Sequence, residues 1–237
     1  MTKTRRGLSP GSRELTVRVK TARGRKSSST RWLQRQLNDP YVAEAKKAGY
    51  RSRAAWKLTQ LDDRFQFLLP GRQVVDLGAA PGGWTQVAVE RVRSRGGDGG
   101  PAGRVIAADI VEIEPIEGAE HLTLDMTAPN EADRLRGLAG RSVDVVLSDM
   151  AASTIGHRST DHLRTIVLCE VAAEFAFDVL SPGGVFVAKV FQGGADGDLL
   201  KNLKRRFTQL KHVKPAASRD TSPETYLVAT GFKASSG

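Results

Sequence analysis

Asp76-Leu77-Gly78-Ala79-Ala80-Pro81-Gly82-Gly83-Trp84 is the stretch on which the fold turns. It directly follows the apolar Val74-Val75 and directly precedes a helical pattern near 83 to 93. A glycine-rich turn between a strand and a helix lets a ligand approach the backbone beyond the carboxyl ends of a parallel sheet. The turn lacks the Gly-Lys-Ser/Thr ending of a phosphate-binding P-loop and the G-x-G-x-x-G spacing of a dinucleotide fingerprint. Two acids strengthen the case for a nucleoside. Asp109 closes the next apolar run, Val105-Ile106-Ala107-Ala108, and Asp125 closes His121-Leu122-Thr123-Leu124. Acids at those two strand ends are placed to accept hydrogen bonds from ribose hydroxyls and from an adenine amino group. The competing reading is that both simply cap turns. An acid-lined pocket suits a cationic sulfonium nucleoside better than a phosphate.

Working outward, apolar runs at Val143–Asp149 and Val185–Val190 supply further strands. Helical stretches near 130 to 139, 160 to 180 and 197 to 210 separate most of the strands. This alternation predicts an α/β fold with a mostly parallel sheet and helices on both faces. Extended segments at about 212 to 218 and 225 to 232 are expected to add a terminal hairpin to that sheet. Arg95 to Gly103, with five glycines, reads as a flexible insertion. Upstream, Trp32, Leu33, Leu37, Tyr41 and Ala45 recur at helical spacing with Pro40 interrupting, and a second helix is expected from about Ser52 to Phe65.

Charge is divided unevenly along the chain. Residues 1 to 60 hold 16 Lys and Arg against 3 acids, whereas the rest holds 20 against 23. The net +10 is therefore an N-terminal property, of the kind that phosphate-rich partners call for. Residues 1–29 are expected to be a basic, disordered arm with a short alternation at Leu15, Val17 and Val19, and residues 30–237 a single domain. The bland alternative is a solubilising tail. No apolar run approaches the roughly 20 residues needed to cross a bilayer. The basic N-terminus lacks the apolar stretch of a secretory signal, and the single Cys169 suits a reducing compartment, so a cytoplasmic protein is expected. A monomer with no membrane partner is expected as well. His121, His157, His162 and His212 show no metal-ligand spacing, and no metal is expected. Trp32, Trp56 and Trp84 read as core anchors, with Trp84 the exception if it meets the cofactor.

The ordered set Ser28–Gln34, Arg51–Leu58, Val75–Trp84, Leu147–Ala151, Leu180–Gly184, Ala188–Gly193 and Ser222–Tyr226 resembles the FtsJ/RlmE (RrmJ) family of ribosomal RNA 2′-O-methyltransferases. The likeness spans roughly residues 28 to 234. It implies a Rossmann-like, seven-stranded methyltransferase fold, S-adenosyl-L-methionine as cofactor, and a uridine ribose of 23S (large-subunit) rRNA as substrate. It also implies a catalytic set of Lys57, Asp149, Lys189 and Glu224, with cofactor contacts from Gly82, Trp84, Asp109, Asp125 and Asp149.

These residue types suit the chemistry. A ribose hydroxyl is a poor nucleophile and must be aligned with the methyl donor and relieved of its proton. Lys189 is expected to act as base or to position the hydroxyl, with Asp149 and Glu224 orienting it and Lys57 steadying the substrate. Two buried ion pairs without chemistry are the structural alternative. The chain departs from the family in Ala152, where Pro is common, in Ala55-Trp56 before Lys57, where Trp-Phe is usual, and in its long arm and glycine-rich insertion. Other readings are a 2′-O-methyltransferase of tRNA or another structured RNA, a haemolysin-type enzyme, and an inactive RNA-binding ribosome assembly factor. A haemolysin type would carry a fused RNA-binding domain for which the arm is too short.

Overall fold

The computed structural model describes residues 27–97, 99–152, 158–191 and 197–233. Residues 1–26, including the alternation at Leu15, Val17 and Val19, lie outside the described residues. Pro40 divides the first helical stretch into α1 (Ser27–Leu37) and α2 (Pro40–Lys47). Asp39 caps α2 through its carboxylate, which accepts from Tyr41 N at 3.1 Å, and Pro40 takes a position where a backbone N–H is dispensable. The next helix, α3 (Ala55–Phe65), starts three residues later than expected. A turn precedes it, in which Ala55 N and Trp56 N donate to the carbonyls of Ser52 and Arg53.

The remaining elements are β1 (Gln73–Leu77), α4 (Gly83–Val92), β2 (Arg104–Asp109), β3 (Ala119–Thr123), α5 (Glu131–Ala139), β4 (Val143–Ser148), α6 (Arg158–Val179), β5 (Leu180–Phe191), α7 (Gly197–Arg206), β6 (Phe207–Val213) and β7 (Glu224–Phe232). They build one seven-stranded sheet in the order β3-β2-β1-β4-β5-β7-β6. The first five strands in that order are parallel. β7 lies antiparallel between β5 and β6, so the expected terminal hairpin is present with its second strand inserted next to β5.

Period-two alternation sends the strands' side chains into two cores. On one face Val75, Leu77, Val146, Phe186 and Ala188 meet α5, α6 and α7 through Leu135, Phe175 and Leu203. On the other, Val74, Val145, Val187 and Tyr226 meet α3 and α4 through Leu58, Leu61, Trp84 and Val87. Burying a large apolar side chain contributes about 1.5–3 kcal/mol, so the sheet held between these cores is a stiff platform.

Two boundaries correct the sequence reading. β3 covers Ala119–Thr123, not 121–125, because Thr123 is the last residue in register with Asp109. Leu124 N then donates to the Asp109 carbonyl at 2.9 Å, and Asp125 sits in the turn beyond. The last helix stops at Arg206 instead of 210, and the extended segment begins at 207 instead of 212. Leu199, Leu203, Phe207 and Leu210 are spaced like one helical face, but Phe207 pairs with Phe232 across the antiparallel ladder. The glycine-rich stretch is tied down at its far end, where Gly103 N donates to the Val92 carbonyl at 3.0 Å.

Candidate active site

All the parallel strands deliver their carboxyl ends to one edge, and the residues singled out by sequence gather there. Gly78, just past β1, has φ +74°, and a Cβ on it would lie 2.7 Å from the backbone of Met150. Only glycine lets the loops after β1 and β4 touch in this way. Gly82 has φ +109° and ends the turn into α4, where a Cβ would meet the Ile116 side chain at 2.6 Å. Asp109 braces the turn: one carboxylate oxygen accepts from Ala80 N and the other from Val111 N, both at 2.9 Å. Arg51 closes it from outside, donating to the Glu114 carbonyl at 2.6 Å and the Pro115 carbonyl at 3.0 Å.

Beyond these ends lies a cavity of about 510 Å³ lined by Gly78, Asp109, Asp125, Thr127, Met150 and Leu163, among others. That size is within the range of small-ligand sites. Asp125 accepts from Thr127 N at 2.8 Å and Thr127 Oγ at 2.6 Å through Oδ1, and the Thr127 hydroxyl bond holds its carboxyl below the ordinary range. Each acid keeps lone pairs for a ligand. Gly82 and Trp84 do not line the cavity. Trp84 is 2% exposed, donates its indole N–H to the Ala54 carbonyl at 2.9 Å and packs against Tyr226, so it belongs to the core.

Beneath the turn, Asp76 is fully buried. Its Oδ2 accepts from Thr85 Oγ at 2.7 Å, while Oδ1 has no partner among the described residues. Burial pushes its carboxyl up to about 7, and the charges of Asp149 and Asp109 push the same way. An under-satisfied buried carboxyl under an acid-lined cavity favours a cationic ligand above it.

The four residues expected to carry chemistry form one network beside the cavity. Lys189, on β5 and 8% exposed, donates to the Asp149 carbonyl at 2.5 Å, and its Nζ lies 3.2 Å from Asp149 Oδ1. Lys57, on α3, donates to Glu224 Oε1 at 2.5 Å. The sequence reading missed the hub that joins these pairs. Tyr226 Oη lies 2.9 Å from Asp149 Oδ1 and 3.2 Å from Glu224 Oε1, and its single proton can serve one of them at a time. Its signal was present: two residues after Glu224 on the same strand, it shares that residue's face. Complete burial between two carboxylates raises the Tyr226 phenol well above its ordinary value. Burial pushes the Glu224 carboxyl up, but Lys57 and Lys189 together with hydrogen bonds outweigh it and leave Glu224 lowered. The result is two lysines and two carboxylates gathered around a tyrosine, next to the cavity through Asp149, whose neighbour Met150 lines it. Among the described residues no group of three His, Cys, Asp or Glu is arranged to hold a metal ion.

The sheet order, glycine turn and acid-lined cavity define a doubly wound α/β methyltransferase. The chain belongs to the FtsJ-like methyltransferase family, whose model matches residues 50–232. It is 62% identical over 230 residues to "Ribosomal RNA large subunit methyltransferase E" of Paramagnetospirillum magneticum, covering 97% of this chain and 93% of that protein. The protein of the same name from Parvibaculum lavamentivorans is 56% identical over 234 residues, covering 98% of this chain and 92% of that protein. Similarity at that coverage runs into the basic arm, farther than the span of 28 to 234 read from sequence. Among solved structures, a ribosomal RNA methyltransferase from Plasmodium falciparum superposes with a TM-score of 0.67 at 28% identity, over 77% of this chain and 98% of that one. A hemolysin from Lactococcus lactis, at 16% identity and a TM-score of 0.51, shares the fold.

Proposed function

We propose that this protein transfers the methyl group of S-adenosylmethionine to the 2′-hydroxyl of a uridine in large-subunit (23S) ribosomal RNA. The observation that carries the reading is the Lys57–Glu224–Tyr226–Asp149–Lys189 network at the lip of an acid-lined cavity. Relatives more than half identical over nearly the whole chain bear a name that specifies large-subunit ribosomal RNA.

When bound, S-adenosylmethionine supplies an electrophilic methyl on a sulfonium. The cavity suits it: Asp109 and Asp125 have acceptors to spare for a ribose and an adenine amino group, Leu163 and Met150 give apolar walls, and Asp76 lies beneath with an unpartnered oxygen. Gly82 shapes the turn, and Trp84 supports it from the core. In the transfer, the ribose oxygen bonds to the methyl carbon, the sulfur–carbon bond breaks and the hydroxyl proton leaves. Lys189 acts on that hydroxyl as its base or as the group that positions it. Asp149 and Glu224 fix the lysine, while Lys57 steadies the substrate ribose. We assign residues 30–237 to the catalytic domain and 1–29 to a basic arm of a cytoplasmic monomer that engages RNA.

Tritium-labelled cofactor and large ribosomal subunits from a strain lacking the gene test this reading. Label should enter the large-subunit RNA at one uridine and make the adjoining phosphodiester resistant to alkali, as a methylated 2′-oxygen must. Label on a base, on transfer RNA or nowhere would overturn it; the last result would fit an assembly factor without activity, against which the intact network argues.

A further inference from the structure

A second cavity, of about 580 Å³, lies on the other side of Glu224, between the start of α2 and the turn joining β6 to β7. Its wall includes Asn38, Asp39, Tyr41, Arg53, Ser218 and Arg219. Two guanidinium groups converge on one carboxylate: Arg53 Nη1 lies 2.7 Å from Asp39 Oδ2, and Arg219 Nε and Nη2 each lie 3.1 Å from the same oxygen. Asp39 neutralises only one of them, so the trio is a net cation. Arg53 is otherwise committed to the Ala217 carbonyl, but its buried Nε has no partner among the described residues. Arg219 is 30% exposed, and its Nη2, held to Asp39 by charge alone, makes no hydrogen bond among the described residues. Asp220 adds a negative charge at the exposed rim, and Lys214, whose Nζ donates to the Asp220 and Ser222 carbonyls, offsets it. Tyr41 lies against this cluster with its ring 5.8 Å from the Arg53 guanidinium.

The cavity is joined to the catalytic network. Ser218 lines it and donates to Glu224 Oε1 at 3.3 Å, the oxygen that also receives Lys57. A chain of nucleotides with one ribose at Lys189 would therefore have a neighbouring nucleotide within reach of a cationic, aromatic-walled pocket. Unoccupied guanidinium donors suit a phosphodiester, and an aromatic ring accepts any base by stacking. Resting on the methyl-transfer reading above, we propose that this cavity is the subsite for the nucleotide adjoining the methylated one, with its phosphate on Arg219 and its base against Tyr41.

Two variants test it, each with RNA binding read directly by filter retention of large ribosomal subunits and methylation read separately. Arg219→Gln should raise the subunit Kd and KM about tenfold, the worth of a charge-assisted hydrogen bond, and should reduce the salt slope of binding by about one phosphate contact. Thr221→Trp, which fills the cavity from its rim, should weaken binding to a similar degree with the salt slope unchanged. In both, S-adenosylmethionine affinity and the rate at saturating subunits should hold. If Thr221→Trp binds subunits as the wild type does, or if Arg219→Gln loses melting temperature and cofactor affinity with no change in salt slope, the trio is a structural clamp and the proposal falls. If both variants weaken binding as stated but the wild type methylates nothing, the subsite stands and the methyl-transfer reading falls.

Discussion

The two halves of the site are built in opposite ways. Around Lys189 five largely buried side chains from α3, β5, β7 and the end of β4 hold one another in place through hydrogen bonds and ion pairs. The cavity around Asp109 and Asp125 is open, its acids are held by a few turn hydrogen bonds, and its α6 wall leaves Leu163 and Val167 exposed. Chemistry that depends on aligning a weak nucleophile needs the first kind of construction, because misplacement by an ångström is costly. A cofactor that must enter and leave at every turnover needs the second.

Substitution should break the two halves differently. The largest effect is expected at Lys189: Lys189→Ala should retain cofactor affinity by calorimetry yet lose about 10²–10⁴-fold in single-turnover methylation, and Lys189→Arg should recover little because its shape and basicity differ. Near-wild-type turnover in the alanine variant would remove Lys189 from the chemistry.

Next comes Asp76, which lies beneath both halves. A carboxyl raised to about 7 in the fold and near 3.8 outside it favours the folded state while protonated, and that advantage is lost as pH rises from about 4 to about 7. Relative to the wild type, Asp76→Asn should therefore gain stability with rising pH across that window, by at most about 4 kcal/mol, and the difference should be flat above it. Denaturant titrations at pH 5 and pH 8 measure the change; an equal difference at both would show that Asp76 is not under strain.

On the cavity side, Asp109→Ala should weaken S-adenosylmethionine binding by about 1.5–3 kcal/mol, the worth of a charged acceptor, with less effect on the rate at saturating cofactor. Unchanged affinity would exclude Asp109 from the binding site. The smallest effect belongs to the exposed end of α2. Replacing Lys46 and Lys47 with Gln should lower the salt slope of RNA binding by up to about two phosphate contacts and leave cofactor binding intact. An unaltered slope would make these lysines a solubilising surface.

Much of this architecture is legible in the residues because local rules and the global fold agree. The glycine turn after Val74-Val75, the acids closing β2 and following β3, and the strand–helix alternation each follow from short-range pattern. Where reading failed, an interaction distant in sequence decided the outcome. Phe207 looks like the next turn of a helix until its partner Phe232 is known, and Tyr226 becomes a hub only when β7 is laid beside β5. The Asp39–Arg53–Arg219 trio joins residues 180 positions apart, which no periodicity reports. Trp84 reads from its place in the glycine turn as a possible ligand contact, yet the helix it begins rotates it into the core.

The position of β7 has a consequence for synthesis. Chain order and sheet order disagree at one point: β6 is made before β7, yet β7 takes the place beside β5. Until β7 emerges, β5 carries an open hydrogen-bonding edge, and neither Glu224 nor Tyr226 exists to complete the network. Closing that gap is a non-local step, the slow kind in folding, and it falls after every other described element has been translated. A product truncated before β7 could fold its glycine turn and the cavity beside it but would lack two of the five side chains of the network. On the proposed reading, a chain that stops short of β7 is left without the complete set of groups that acts on RNA.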